Sequence, residues 1–185
     1  MESNGILLDA DILSHFIAAG EQNLIKKIFA GQYLLLPDQV YLEASRCPWD
    51  PGRKRTLDQW ILDNRVLLIQ FPADVSSPVA DEYFRLKAEN PRLGKGERAC
   101  MAIAKYHHDI IASSNFRDIA PYCRLNSITY LGMLDILWIA IQNAIIDETR
   151  ADRIIDIALM MDNARFPVHC MEAYRPETDL TGWLR

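Results

Sequence analysis

No stretch of the 185 residues approaches the roughly 18 uninterrupted apolar residues that a membrane span needs. The apolar run Ile6-Leu7-Leu8 is far too short, and Met1-Glu2-Ser3-Asn4-Gly5 lacks the basic start of a secretory signal, so a cytoplasmic protein with no membrane partner is expected. Cysteine is scarce. Cys47, Cys100, Cys123 and Cys170 lie tens of residues apart with no C-x-x-C pair, which argues against a zinc knuckle and fits reduced, buried thiols. With only 8 Gly and 9 Pro beside 50% hydrophobic residues, the chain is neither collagen-like nor disordered, and it has the material for one ordinary core. A general coating of positive charge is also absent, since 20 Lys and Arg face 25 Asp and Glu for a net −5. The distribution is uneven: residues 46–105 hold 11 basic side chains against 8 acidic ones, and the remainder holds 9 against 17. A basic middle with acidic ends suits a polyanion held beside an acidic, cation-binding site, although a solvated helix surface gives the same count.

What is present is an alternation of short aliphatic runs and helical periods. Gly5–Leu8, Tyr33–Leu36, Val66–Phe71, Asp109–Ala112 and Ser127–Thr129 read as strands. Between and after them, apolar residues recur at helical spacing near 12–17, 24–29, 39–46, 53–61, 77–89, 97–106, 133–145 and 147–163. Asp38 is well placed to cap the third of these, and Cys47-Pro48-Trp49-Asp50-Pro51-Gly52 reads as a loop. The pattern predicts an α/β fold, a three-layer α/β/α sandwich around a mostly parallel central sheet, over residues 1–165. Residues 166–185 form an extension whose Trp183-Leu184 end is expected to dock on the core or on a second copy, as in a homodimer. Trp60, Trp138, Tyr83 and Phe84 fall among apolar residues and read as core, and His107-His108 reads as a helix-end cation.

In an open α/β sheet the binding crevice lies outside the carboxyl ends of the strands. The polar residues placed there are mostly acidic: Asp9 and Asp11 after the first strand, Glu43 on the helix after the second, Glu97 at the start of the helix after Gly94-Lys95-Gly96, and Ser114 and Asn115 after the fourth. Hard oxygen ligands without His or Cys suit Mg²⁺ or Mn²⁺, and so phosphodiester chemistry. Each acid also has a plainer use. Asp11 could cap the following helix, Glu97 could favour a helix dipole, and Glu43 could pair with Arg46.

Taken in order, these segments resemble the PIN-domain nucleases. Ile6-Leu7-Leu8-Asp9-Ala10-Asp11 is similar to the family's opening, a hydrophobic strand ending in Asp, a small residue, then Asn or Asp. Val40-Tyr41-Leu42-Glu43-Ala44 resembles its helix-borne Glu, and Leu93-Gly94-Lys95-Gly96-Glu97-Arg98-Ala99 resembles the Gly-x-Gly-Glu stretch of one branch. Ile128 to Leu134 is similar to that branch's last strand and Gly-containing turn, so the resemblance covers about residues 5–145. It departs at the fourth strand end, where the branch carries one or two aspartates and this chain reads Ala112-Ser113-Ser114-Asn115-Phe116-Arg117-Asp118.

The resemblance implies a metal-dependent ribonuclease in which Asp9, Glu43 and Glu97 hold Mg²⁺ or Mn²⁺ and carry catalysis. Asn115 then offers a neutral oxygen, and Asp11, Ser114 and Asp118 support from outside. Lys95, Arg98 and the Arg53-Lys54-Arg55 run are the candidate contacts to RNA phosphates. Small PIN proteins often act as toxins of toxin–antitoxin pairs, which would make a protein antitoxin a partner. The missing strand-end acid predicts weakened metal binding, and in the limit a non-catalytic PIN-fold module that binds RNA or protein. A third reading, from Asp9-Ala10-Asp11 alone, is a haloacid-dehalogenase-type phosphatase. That family needs an acidic pair at a later strand end, which Ser114-Asn115 does not supply.

Overall fold

The computed structural model describes residues 5–46, 52–72, 74–161 and 164–184, so the expected 47–51 loop segment and Cys47 lie outside the described residues. Five strands form one all-parallel sheet: β1 (Ile6–Leu8), β2 (Leu34–Pro37), β3 (Leu67–Ile69), β4 (Ile110–Ala112) and β5 (Tyr130–Leu131). Their order is β3-β2-β1-β4-β5. The helices are α1 (Ala10–Ala18), α2 (Gln22–Ile28), α3 (Asp38–Ala44), α4 (Gly52–Leu62), α5 (Pro78–Glu89), α6 (Lys95–His107), α7 (Phe116–Leu125), α8 (Met133–Gln142) and α9 (Glu148–Met161). Helix α6 lies across β1, β2 and β4 and packs on α5, while α1, α2, α8 and α9 pack among themselves, which makes three layers, α/β/α.

The short apolar runs become strands because β1 is covered on both sides: Ile6, Leu7 and Leu8 are wholly buried, and Leu7 pairs with Leu35 on one flank and Ile111 on the other. Chain order reverses between β1 and β4, so the crevice outside their carboxyl ends is the switch point of the sheet. At one edge, β3 leaves Leu67 and Leu68 more than a third exposed.

Several local expectations are corrected. Asp38 does not cap α3; it is the first helical residue, and its Oδ1 accepts from the Phe71 N–H at 3.2 Å. The last strand lies at Tyr130–Leu131 rather than 127–129. Ser127 adopts φ 54° and Ile128 N–H bonds back to Cys123 O at 2.9 Å, so the chain is still closing the α7 turn where the strand was expected. Helix α7 itself was not expected, because Pro121 lies inside it. Phe84 is 51% exposed and only meets Tyr83 edge-on, whereas Trp60 and Tyr83 are core. Cys100 and Cys123 are free and buried.

The C-terminal extension packs on the domain. Met171, Tyr174 and Leu180 are buried, Trp183 meets Phe29 edge-on at 5.4 Å, and Met171 N–H bonds Asp152 Oδ1 at 2.7 Å. Among the described residues no helix is long and apolar enough to cross a membrane.

Candidate functional site

The acidic residues named from the sequence meet at the switch point. Asp9, buried at the end of β1, caps α1 through Oδ1, which accepts from Ala10 N–H at 2.8 Å. Asp11 is therefore not the cap. It stands in the first turn, with Oδ1 on its neighbour Ile12 N–H at 2.6 Å and Oδ2 on Ser114 N–H at 2.8 Å. Ser113, fully buried at the end of β4, ties the two strand ends together: its Oγ donates to Asp9 Oδ2 at 2.8 Å and accepts from Asn115 N–H at 3.2 Å. Sequence reasoning passed over Ser113 for its neighbours. Alternation along β4 could have found it, because a side chain one step beyond a buried parallel strand is at the crevice.

The other acids arrive on helix α6 and the elements beside it. Glu97 sits in the first turn of α6 with Oε2 on Gly94 N–H at 2.8 Å. Glu43, exposed near the end of α3, does not pair with Arg46; its two oxygens accept from Lys95 N–H and Gly96 N–H, each at 3.2 Å. The Gly-x-Gly spacing now has a physical cause. A Cβ on Gly94 would stand 2.9 Å from Glu97 Oε2, and one on Gly96 would stand 2.6 Å from Glu43 Oε2, so only glycine lets both carboxylates close on this turn.

Asn115 Nδ2 donates to Glu97 Oε1 and, at 2.8 Å, to Asp118 Oδ2. Asn115 thus acts here as a donor linking two carboxylates rather than as an oxygen ligand. Asp118 is one turn along in sequence, yet α7 starts immediately after Asn115 and swings it back beside Glu97. Ser114 turns its N–H to Asp11, and its Oγ bonds none of the acids.

Burial first, then the charges of Asp11 and Glu97, raise the Asp9 carboxyl well above the ordinary carboxylate range. Burial likewise raises Asp11, in spite of His15 nearby, and raises Glu97, with Asp118 and Asp11 adding to the shift. Below them Cys100 is held as an inert thiol, pushed well up by burial and by the same four acids, Asp9, Asp11, Glu97 and Glu43. Among the described residues the ion pairs with Lys or Arg involve Asp58, Glu82, Glu89 and Glu21, and none of these four acids. Among the same residues no group of three His, Cys, Asp or Glu side chains has the spacing of an ion-holding set.

The expected phosphate contacts divide. Arg53 is buried with Nη1 donating to Ser14 Oγ at 2.6 Å, and Arg98 is buried with its guanidinium 5.2 Å from the Tyr83 ring centre. Lys54, Arg55 and Lys95 are exposed, and Lys54 is ion-paired to Asp58 at 2.7 Å. No protein-family model matches the chain, and no curated protein matches it either.

Proposed function

We propose that the chain is a metal-dependent ribonuclease that hydrolyses RNA phosphodiesters at this acidic crevice. One observation carries the reading: hydrogen bonds of Ser113, Ser114 and Asn115 link Asp9, Asp11, Glu97 and Asp118 at the switch point, Glu43 is held on the same glycine turn as Glu97, and the ion pairs with Lys or Arg among the described residues include none of the five. The donor chemistry, all oxygen, is the kind Mg²⁺ or Mn²⁺ prefers; the carboxylates do not stand at ion-holding spacing, so in this reading Asp9, Glu43 and Glu97 are the residues that would close on the ion as it binds. Bound there, the ion would activate water and stabilise charge on the scissile phosphate.

The chain's own groups have separable tasks in this reading. Ser113 fixes the Asp9 carboxylate on the crevice floor, and Gly94 and Gly96 let the two glutamates approach. Asp118 replaces from α7 the carboxylate that the end of β4 lacks. Lys95 and Arg55 stand exposed for sequence-independent phosphate contacts.

The test is cleavage of labelled single-stranded RNA with and without Mn²⁺, together with thermal melting. A ligand of the native state present at 100 times its Kd adds about 2.7 kcal/mol, or about 5–11 °C for a chain of this size. Asp9→Asn is expected to remove both cleavage and the shift. Cleavage that survives Asp9→Asn refutes the reading. If the wild type shows neither cleavage nor a metal-dependent shift, the chain is a non-catalytic module; a phosphorylated Asp9 trapped from a phosphomonoester would make it a phosphatase.

A further inference from the structure

Beside the acidic crevice lies a second concavity of about 290 Å³, walled on one side by Ser114, Phe116 and Tyr130 and on the other by Val168, Tyr174 and Arg175 of the C-terminal segment. The segment is fastened there by Asp135, whose Oδ1 accepts from Tyr174 OH at 2.5 Å and whose Oδ2 accepts from Gly132 N–H at 2.8 Å. With both oxygens occupied, Asp135 anchors the wall. Phe116 and Tyr130 meet edge-on at 5.2 Å. Ser114 Oγ is buried and has no hydrogen-bond partner. An unsatisfied buried hydroxyl is unfavourable unless a ligand or water completes it.

We propose that this cavity receives the base of a nucleotide next to the phosphate held at the acidic crevice, and that Ser114 Oγ hydrogen-bonds an edge of that base. The inference rests on the ribonuclease reading and adds nucleotide selectivity to it. Three features choose a base over other occupants. The volume is at the floor of the roughly 300–1,000 Å³ of small-molecule pockets, enough for one flat group. The aromatic and aliphatic walls suit stacking, which every base offers. The charge excludes an anion, since Asp135 and Glu177 line the cavity and Arg175 already donates its Nη1 to Glu172 O at 2.7 Å and Tyr174 O at 2.6 Å. Ser114 joins the two sites directly: its N–H holds Asp11 Oδ2 at 2.8 Å while the residue itself lines the cavity. The C-terminal segment thereby acquires a task, because without it one wall is missing.

The full chain, without metal, is titrated with adenosine, guanosine, cytidine and uridine, and binding is read by saturation-transfer NMR. At least one nucleoside is expected to bind with its base protons saturated more than its ribose protons. Val168→Trp, which fills the cavity, is expected to weaken that binding at least tenfold with the melting transition retained, and Ser114→Ala to change the ranking of the four. Should Val168→Trp not fold, Phe116→Ala removes a stacking wall and is expected to weaken binding about tenfold. Binding of none of the four, or binding unchanged in the cavity variants, overturns the proposal. Cleavage of RNA by a chain that binds no nucleoside refutes the base cavity and leaves the ribonuclease standing. Metal-free binding that the cavity variants remove, in a chain that never cleaves, supports the base cavity and refutes the ribonuclease.

Discussion

Gly96→Ala should destabilise the protein, against the usual direction of that change in a helix. Gly96 is the second residue of α6, and intrinsic helix propensity favours Ala there by at most about 1 kcal/mol. A methyl group at this position would stand 2.6 Å from Glu43 Oε2, 2.9 Å from Val40 Cγ2 and 3.4 Å from Val40 Cα. Glu43 is an exposed side chain and can retreat, but doing so surrenders its bond to Gly96 N–H. Val40 is fully buried, β-branched and flanked by its own backbone, so it cannot retreat without moving α3. Overpacking of this kind costs about 1–3 kcal/mol, and the lost bond to a charged group adds to it, which outweighs the propensity gain. The expected net loss of about 1–3 kcal/mol is a fall in Tm of about 2–12 °C. Melting of wild type, Gly96→Ala, Glu43→Ala and the double variant separates the contributions: the penalty should shrink, without vanishing, once Glu43 is Ala, because the Val40 clash remains. An unchanged or raised Tm for Gly96→Ala would refute the close approach of α3 to α6, and with it the explanation of the glycine spacing.

Three further outcomes are expected. Asn115→Asp removes the amide that bridges Glu97 and Asp118 and adds a charge beside them, so it should lower Tm without metal and enlarge the Mn²⁺-dependent rise, read in paired melts. Glu82 accepts from Arg85, Lys105 and Tyr122, and chiefly the Arg85 bonds lower its pKa from 4.5 to about 2. A depressed carboxyl stabilises the fold above its unfolded pKa and loses that contribution as pH falls from about 4.5 to about 2. The unfolding free energy from urea titrations should therefore fall by at most about 3 kcal/mol across that window in wild type and vary less in Glu82→Gln. Replacing Arg55 and Lys95 with Ala should lower the salt slope of single-stranded RNA binding by about 1.4, at about 0.7 per phosphate contact, whereas Arg53→Ala should destabilise the fold instead, because its guanidinium is buried on Ser14.

The alternation of strands and helices was legible because β1, β2 and β4 are aliphatic runs interrupted abruptly by polar residues, and a parallel sheet buried on both faces demands that pattern. The positions of Asp9, Glu43 and Glu97 at the crevice were legible for the same reason, each following a strand or a glycine turn. What could not be read were the consequences of a local turn for residues beyond it. Asp118 was expected only to support from outside because nothing in Ser113–Asp118 announces that α7 begins at once, and Pro121 argues against a helix there. Arg53 looked like one of three equivalent basic residues, although helical spacing sends it inward with Leu57 and Trp60. There its Nη1 donates to Ser14 Oγ, a residue 39 positions away.

The plain and the functional uses of these acids are complementary rather than opposed. A parallel sheet sends a helix away from the carboxyl end of each strand, so the crevice is ringed by helix N-termini, each with unpaired N–H groups and a partial positive charge. Asp9 takes up the N–H of Ala10 at the start of α1, Glu97 that of Gly94 at the start of α6, and Glu43 those of Lys95 and Gly96. Backbone donors thus hold the carboxylates in position where Lys or Arg would otherwise be needed. A lysine there would neutralise the site and repel a cation; an N–H carries no net charge and leaves the carboxylate's other lone pairs available. The raised pKa values of Asp9, Asp11 and Glu97 show that these donors do not fully offset burial and mutual repulsion. The same bonds that make each acid look like a helix cap thus hold it without a Lys or Arg partner among the described residues, which is the condition the proposed divalent site requires.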